Sequence, residues 1–146
     1  MPASLRHVGL AAVLCGAALF SSAQGLPAVQ RSGSVEYVSG GIGKDESTAM
    51  QAAAAQWPLA LEFAVTGAER AQFASDVQVA VRDSAGRVVL DAVSDGPFLL
   101  ARIAPGAYSV EATLQGRVQR RQVTLRQGAS AKVMFSWPAA AVDAPR

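Results

Sequence analysis

Leu59-Ala60-Leu61-Glu62-Phe63-Ala64-Val65 puts a large apolar residue at every odd position, and Val77-Gln78-Val79-Ala80-Val81-Arg82 repeats the pattern. Successive side chains of a strand point to opposite faces, so this period of two marks strands with one buried face. Downstream, Tyr108, Val110, Ala112 and Leu114 alternate with polar neighbours, and Val133, Phe135 and Trp137 do the same near the end. Turn chemistry separates these runs. Asp83-Ser84-Ala85-Gly86 offers a side-chain acceptor first and Gly last, Ser94-Asp95-Gly96-Pro97 interrupts pairing, and Gln115-Gly116 and Gln127-Gly128 follow. Ala104-Pro105-Gly106 has Pro and Gly where a type II turn needs them, which predicts a hairpin. Residues 66–75 read as a polar connection.

Upstream of residue 59 the pattern differs. Residues 35–38 form a strand candidate that runs into Gly40, Gly41 and Gly43. Asp45 is placed to cap a helix over about 46–57, rich in Ala, with Pro58 beyond it. Met50 and Trp57 lie two helical turns apart and give that helix one apolar face for docking on a sheet. Residues 24–34 read as a flexible extension and 138–146 as a mobile Ala and Pro tail. Short strands at intervals of about ten residues, with a single helix, predict a mainly β chain. The expected domain is a seven- to eight-stranded antiparallel β-sandwich over 35–137 with one N-terminal α-helix.

The first 23 of the 146 residues have the form of a signal peptide: Arg6, an apolar run over 8–20, then Ser21-Ser22-Ala23 for cleavage before Gln24. The apolar run is shorter than the roughly 20 residues of a spanning helix. Cys15 sits in mid-run after Leu14, which does not suit a lipidation site. Export to the periplasm or beyond is expected, with no transmembrane anchor after leader removal. The only His and the only Cys, His7 and Cys15, fall within this leader. A mature chain without imidazole or thiol has no Ser-His-Asp or Cys-His machinery, no disulfide and no ordinary zinc ligands beyond carboxylates. With Arg6 removed, 12 Lys and Arg stand against 11 Asp and Glu, too even a balance to suggest nucleic acid.

Gly40 to Lys44 resembles a phosphate loop only superficially, since Val38 stands where the first Gly belongs and Asp45 where Ser or Thr is needed. Gly40, Gly41, Gly43, Lys44 and Asp45 are instead a candidate partner-binding loop, or simply a strand-to-helix connection. A Ser-Lys pair would have to use Lys44 or Lys132. So would an isopeptide bond, which the absence of Asn makes harder still. Asp91 with Asp95, and Asp45 with Glu46, read as loop and cap residues. Arg117, Arg120, Arg121 and Arg126 make the last hairpin basic, which protects a sheet edge or contacts an acidic envelope component. No aromatic is interleaved for stacking on bases.

Val77 to Asp83 with Gly86, then Gly96-Pro97-Phe98, then Ile103-Ala104-Pro105-Gly106-Ala107-Tyr108-Ser109-Val110 and Gly116, resemble the carboxypeptidase regulatory-like modules of the prealbumin-like sandwich group. The resemblance spans roughly 59–137. It implies a non-catalytic folding or binding appendage of prealbumin-like fold, here without an attached peptidase. The hydroxyisourate hydrolases of that fold depend on His and on a Tyr-Arg-Gly-Ser ending, neither present in the mature chain. Tyr37 to Glu46 is similar to the start of small exported proteins of Gram-negative bacteria. The expectation is an exported, non-enzymatic module with no catalytic residues, no cofactor and no metal, binding a protein, peptide or glycan of the cell envelope. The alternative is a self-assembling structural or envelope accessory protein, and a third reading is a hydrolase working without His or Cys.

Overall fold

A computed structural model of the chain describes residues 25–67 and 72–139, leaving out the side chains of residues 72 and 73. The expected leader and residues 140–146 of the expected tail lie outside the described residues. Among the described residues, ten strands and one α-helix run in the order β1 Gln30–Ser32, β2 Val35–Gly40, α1 Lys44–Ala53, β3 Leu59–Thr66, β4 Gln72–Phe73, β5 Val77–Asp83, β6 Val88–Ser94, β7 Phe98–Arg102, β8 Gly106–Leu114, β9 Arg117–Leu125 and β10 Ala131–Pro138. They form two sheets. One has the order β1-β2-β7-β3-β10, with β4 also on β3, and the other has the order β6-β5-β8-β9.

The alternating residues meet between these sheets. Leu59, Leu61, Phe63, Phe135 and Trp137 from one side join Val77, Val79, Val81, Leu90, Val110 and Leu114 from the other in a single buried cluster. Phe135 stacks between Phe63 and Trp137 within it, and the three ring centroids lie 5.9–6.4 Å apart. The result is mainly β and sandwich-like, as expected. β7 departs from the alternation because both of its faces are covered, and a strand buried twice reads as a continuous apolar run. Leu99 and Ala101 enter the core, while Phe98 and Leu100 face a second cluster under the helix with Val38, Met50, Ala54, Trp57 and Ala60. Met50 and Trp57 therefore dock on the sheet as their spacing predicts, although Trp57 is already extended beyond a 3₁₀ turn at Ala54–Gln56. The Arg102 guanidinium lies 4.2 Å from the Trp57 ring centroid.

Five expectations are corrected. The described residues hold ten strands instead of seven or eight, because the short β1 and β4 fall in segments read as an extension and as a polar connection. The sheets are not wholly antiparallel: β10 runs parallel to β3, with Phe63 opposite Phe135. The chain crosses from β9 in one sheet to β10 in the other instead of turning back, and alternation of side chains is the same for either strand direction. Pro105-Gly106 is not a hairpin turn either. It carries the chain from β7 in one sheet to β8 in the other, and Gly106 takes φ +155°, far from the value near +80° of a type II turn. The phenol of Tyr108 secures this crossover by donating to the Ala104 carbonyl at 2.7 Å. Within the segment read as an extension, Gln30–Ser32 pairs with β2. Asp45 does not cap α1, which begins one residue earlier, at Lys44, behind Gly43 and has no side-chain cap.

The remaining turns follow their sequences. Asp83 Oδ1 accepts the N–H groups of Ala85 and Arg87, each at 3.0 Å, and the Gly86 N–H donates to the Asp83 carbonyl at 2.9 Å. Gln115 and Gly116, φ +47° and +79°, close the β8–β9 hairpin with the two positive angles that match strand twist.

Candidate functional site

The glycine segment is a backbone crossing with an exposed tip. Gly40 and Gly41 are buried. A Cβ on Gly96 would fall on the Gly40 carbonyl oxygen, 2.5 Å from its carbon and 2.9 Å from its Cα, so the connection between β6 and β7 lies directly against the end of β2. A side chain at Gly41 would enter the Phe98 ring, and one at Gly40 would strike the Glu46 carboxylate and Pro27. Glu46, in the first turn of α1, accepts the Gly41 N–H at 2.7 Å and ties the helix back to the crossing. This bond, and not a cap from Asp45, secures the start of the helix.

Hydroxyls complete the base. Ser39, 2% exposed, accepts the Asp95 N–H at 3.2 Å and donates to Asp95 Oδ2 at 3.3 Å. Ser94, fully buried, donates to the Gly96 carbonyl at 2.7 Å and lies 3.3 Å from that of Phe98. A hydroxyl engaged this way is a structural clamp, and Asp95 serves the same clamp. Beyond Gly41 the chain emerges: Ile42 is 67% exposed, and Gly43, Lys44 and Asp45 are exposed beside it. Of the five candidate residues, Gly40 and Gly41 thus build the base, while Gly43, Lys44 and Asp45 present the tip. Lys44 and Lys132 are both exposed. Sequence reasoning passed over Ile42, whose signal was a bulky apolar residue flanked by glycines.

A second concavity sits at one end of the sandwich. Val65, Ala74, Ser75, Asp76, Leu114 and Gln115 line an open hollow of about 300 Å³. Asp76 and Gln115, the two non-glycine residues of positive φ among the described residues, both face it. Turn geometry explains Gln115, and the Asp76 N–H donates to the Ser94 carbonyl at 2.9 Å.

Among the described residues, no group of three His, Cys, Asp or Glu is placed to hold a metal, and no helix is long and apolar enough to cross a membrane. No protein-family model matches the chain, and no curated protein matches it.

Proposed function

We propose that this chain is an exported, non-enzymatic interaction module of the prealbumin-like, carboxypeptidase regulatory-like kind, which engages a protein, peptide or glycan of the cell envelope through the tip at 42–45. The observation that carries this reading is the contrast within one short loop. A base fixed by the Gly40–Gly96 crossing and the Glu46 bond supports an Ile that is 67% exposed. An apolar side chain held out on a fixed backbone loses little conformational entropy when a partner covers it. Lys44 and Asp45 beside it provide polar contacts of both signs.

Self-association by strand addition is less favoured by the rims of the sandwich. On one side the Asp91 N–H of β6 donates to Ser32 Oγ at 3.0 Å, and on the other the Trp137 indole donates to the Arg117 carbonyl at 3.0 Å. Backbone groups already engaged by side chains offer less to an added strand.

The test places a photo-crosslinking amino acid at position 42 of the full chain in intact cells, with position 122 as control. A discrete heterologous adduct from 42 alone, lost on Asp45→Arg, supports the reading. Ladders of self-conjugates from 42, or adducts equal at both positions, would overturn it. Sequencing the N-terminus of the recovered protein tests export: Gln24 is the expected first residue.

A further inference from the structure

Five of the chain's 13 Lys and Arg, and none of its 11 Asp and Glu, lie between Arg117 and Pro138. The fold brings Arg117 and Arg121 to one rim, with Arg120 and Lys132 on the outer faces of the two strands that form it and Arg126 at its end. β9 is the edge of the four-stranded sheet and β10 the edge of the other, and the Gln119 amide and Trp137 indole join them by donating to the Ser136 and Arg117 carbonyls. Arg117 and Arg121 pair with Leu114 and Val110, which are core residues, so they occupy the face of β9 turned toward β10. The Arg121 guanidinium sits 5.5 Å from the Phe135 ring centroid. Arg126 follows the end of β9, and Lys132 stands on the outer face of β10 opposite Ala60.

Among the described residues, acidic partners do not neutralise this row. Arg120, on the other face of β9, is paired with Glu111 at 2.8 Å. The remaining ion pairs among the described residues use Arg31, Arg87 and Arg102, and leave Arg117, Arg121, Arg126 and Lys132 without one. All four are exposed. At about 3.3 Å per residue, Arg117 at the start of β9 and Arg126 just past its end stand roughly 30 Å apart, with Arg121 between them, along a rim only about 10 Å wide.

We infer that the β9–β10 rim binds a linear acidic polysaccharide, with its carboxylates along the row of guanidinium groups. Complementary charge provides the attraction, and the planar fork of Arg accepts a carboxylate in a two-point hydrogen bond. A narrow line of cations suits a chain better than the plane of a membrane surface. Phe135 and Trp137, the aromatic residues of the rim, are 0% and 1% exposed and offer no face for stacking on a nucleotide base. The inference is independent of the tip at 42–45: β2, which leads into that tip, is separated from β10 by β7 and β3.

The experiment titrates the full chain with polygalacturonate, using dextran, phosphatidylglycerol vesicles and oligodeoxythymidylate as comparisons. Saturable binding to polygalacturonate alone is expected, weakening about tenfold or more as salt is raised and the Debye length shrinks. The double variant Arg117→Ser with Arg126→Ser keeps the Arg117 main-chain carbonyl for Trp137 and should lose about tenfold in affinity. Arg31→Ser with Arg87→Ser removes the same net charge elsewhere and should bind as the unaltered chain does. Thermal midpoints of both variants confirm that each is folded. Equal losses in the two double variants, absence of polygalacturonate binding, or preference for vesicles or oligonucleotide would overturn the assignment.

Discussion

Replacing Gly96 with Ala would place a methyl group against a backbone that cannot swing aside. The added Cβ would stand 2.5 Å from the Gly40 carbonyl carbon, whereas ordinary contact begins near 3.4 Å. One of the two chains must therefore retreat by about 1 Å, an adjustment comparable to overpacking a core. The connection carrying Gly96 is pinned on both sides: Ser94 Oγ donates to the Gly96 carbonyl at 2.7 Å, and the Phe63 N–H of β3 donates to the Pro97 carbonyl at 2.8 Å. Overpacking costs about 1–3 kcal/mol, and loosening two hydrogen bonds adds about 1 kcal/mol each, for a total of about 3–5 kcal/mol. That is a large part of the roughly 5–15 kcal/mol that holds a domain together. Guanidinium denaturation followed by the fluorescence of Trp57 and Trp137, 6% and 1% exposed, reads the change directly. Gly128→Ala is the control, because nothing lies within 4 Å of its Cβ and only its φ of +76° is strained. It should cost about 1–2 kcal/mol. A Gly96→Ala protein no less stable than Gly128→Ala would refute the backbone crossing, and with it the fixed base of the tip.

Met50→Ala should lower stability by about 2–5 kcal/mol, because Met50 is fully buried between helix and sheet; the denaturation midpoint measures it. Tyr108→Phe removes the bond to the Ala104 carbonyl and should cost about 1 kcal/mol in the same assay. Gly106→Val should cost about 1–3 kcal/mol through its φ of +155°, even though no type II turn is present. The Asp83 carboxyl is held below its usual range by the Arg87 N–H, then by the Ala85 N–H and the Arg87 guanidinium. A lowered folded-state value stabilises the protein above the unfolded value near 4, and this contribution fades as pH falls through the lower folded value. The stability gap between the unaltered protein and Asp83→Asn should thus hold constant from about pH 8 to 5 and shrink below about pH 4, as urea midpoints across that range would show.

The core was legible where one face of a strand is buried and the other wet. Leu59, Leu61, Phe63, Val79, Val110 and Phe135 all lie where their alternation put them. Strand direction was not legible, because a period of two has no sense along the chain. Nor was sheet membership: Ser94 to Pro97 and Ala104 to Gly106 carry ordinary turn residues, yet each connection passes from one sheet to the other. At the candidate loop, the glycines announced unusual backbone but not its cause. Gly40 needs to be small because Glu46 and Pro27 approach it, and Gly96 because Gly40 does. Contacts between residues 56 apart in sequence leave no mark in a local pattern.

β9 shows how one set of residues can meet two demands. Its core-facing positions begin with Arg117, Gln119 and Arg121 and become apolar only at Val123 and Leu125. Cations on the inward face of an edge strand resist pairing with another chain. Here they also cover the gap between the sheets, where Gln119 and Trp137 bond across it. A rim protected by charge resists strand addition but stays open to counter-charge, because the guanidinium groups that would repel a second copy of β9 attract carboxylates. Edge protection by charge itself draws mostly on cations. The run of 22 residues from Arg117 to Pro138 carries cations and no acid, so the groups that guard this edge are the same ones the proposed polyanion would engage.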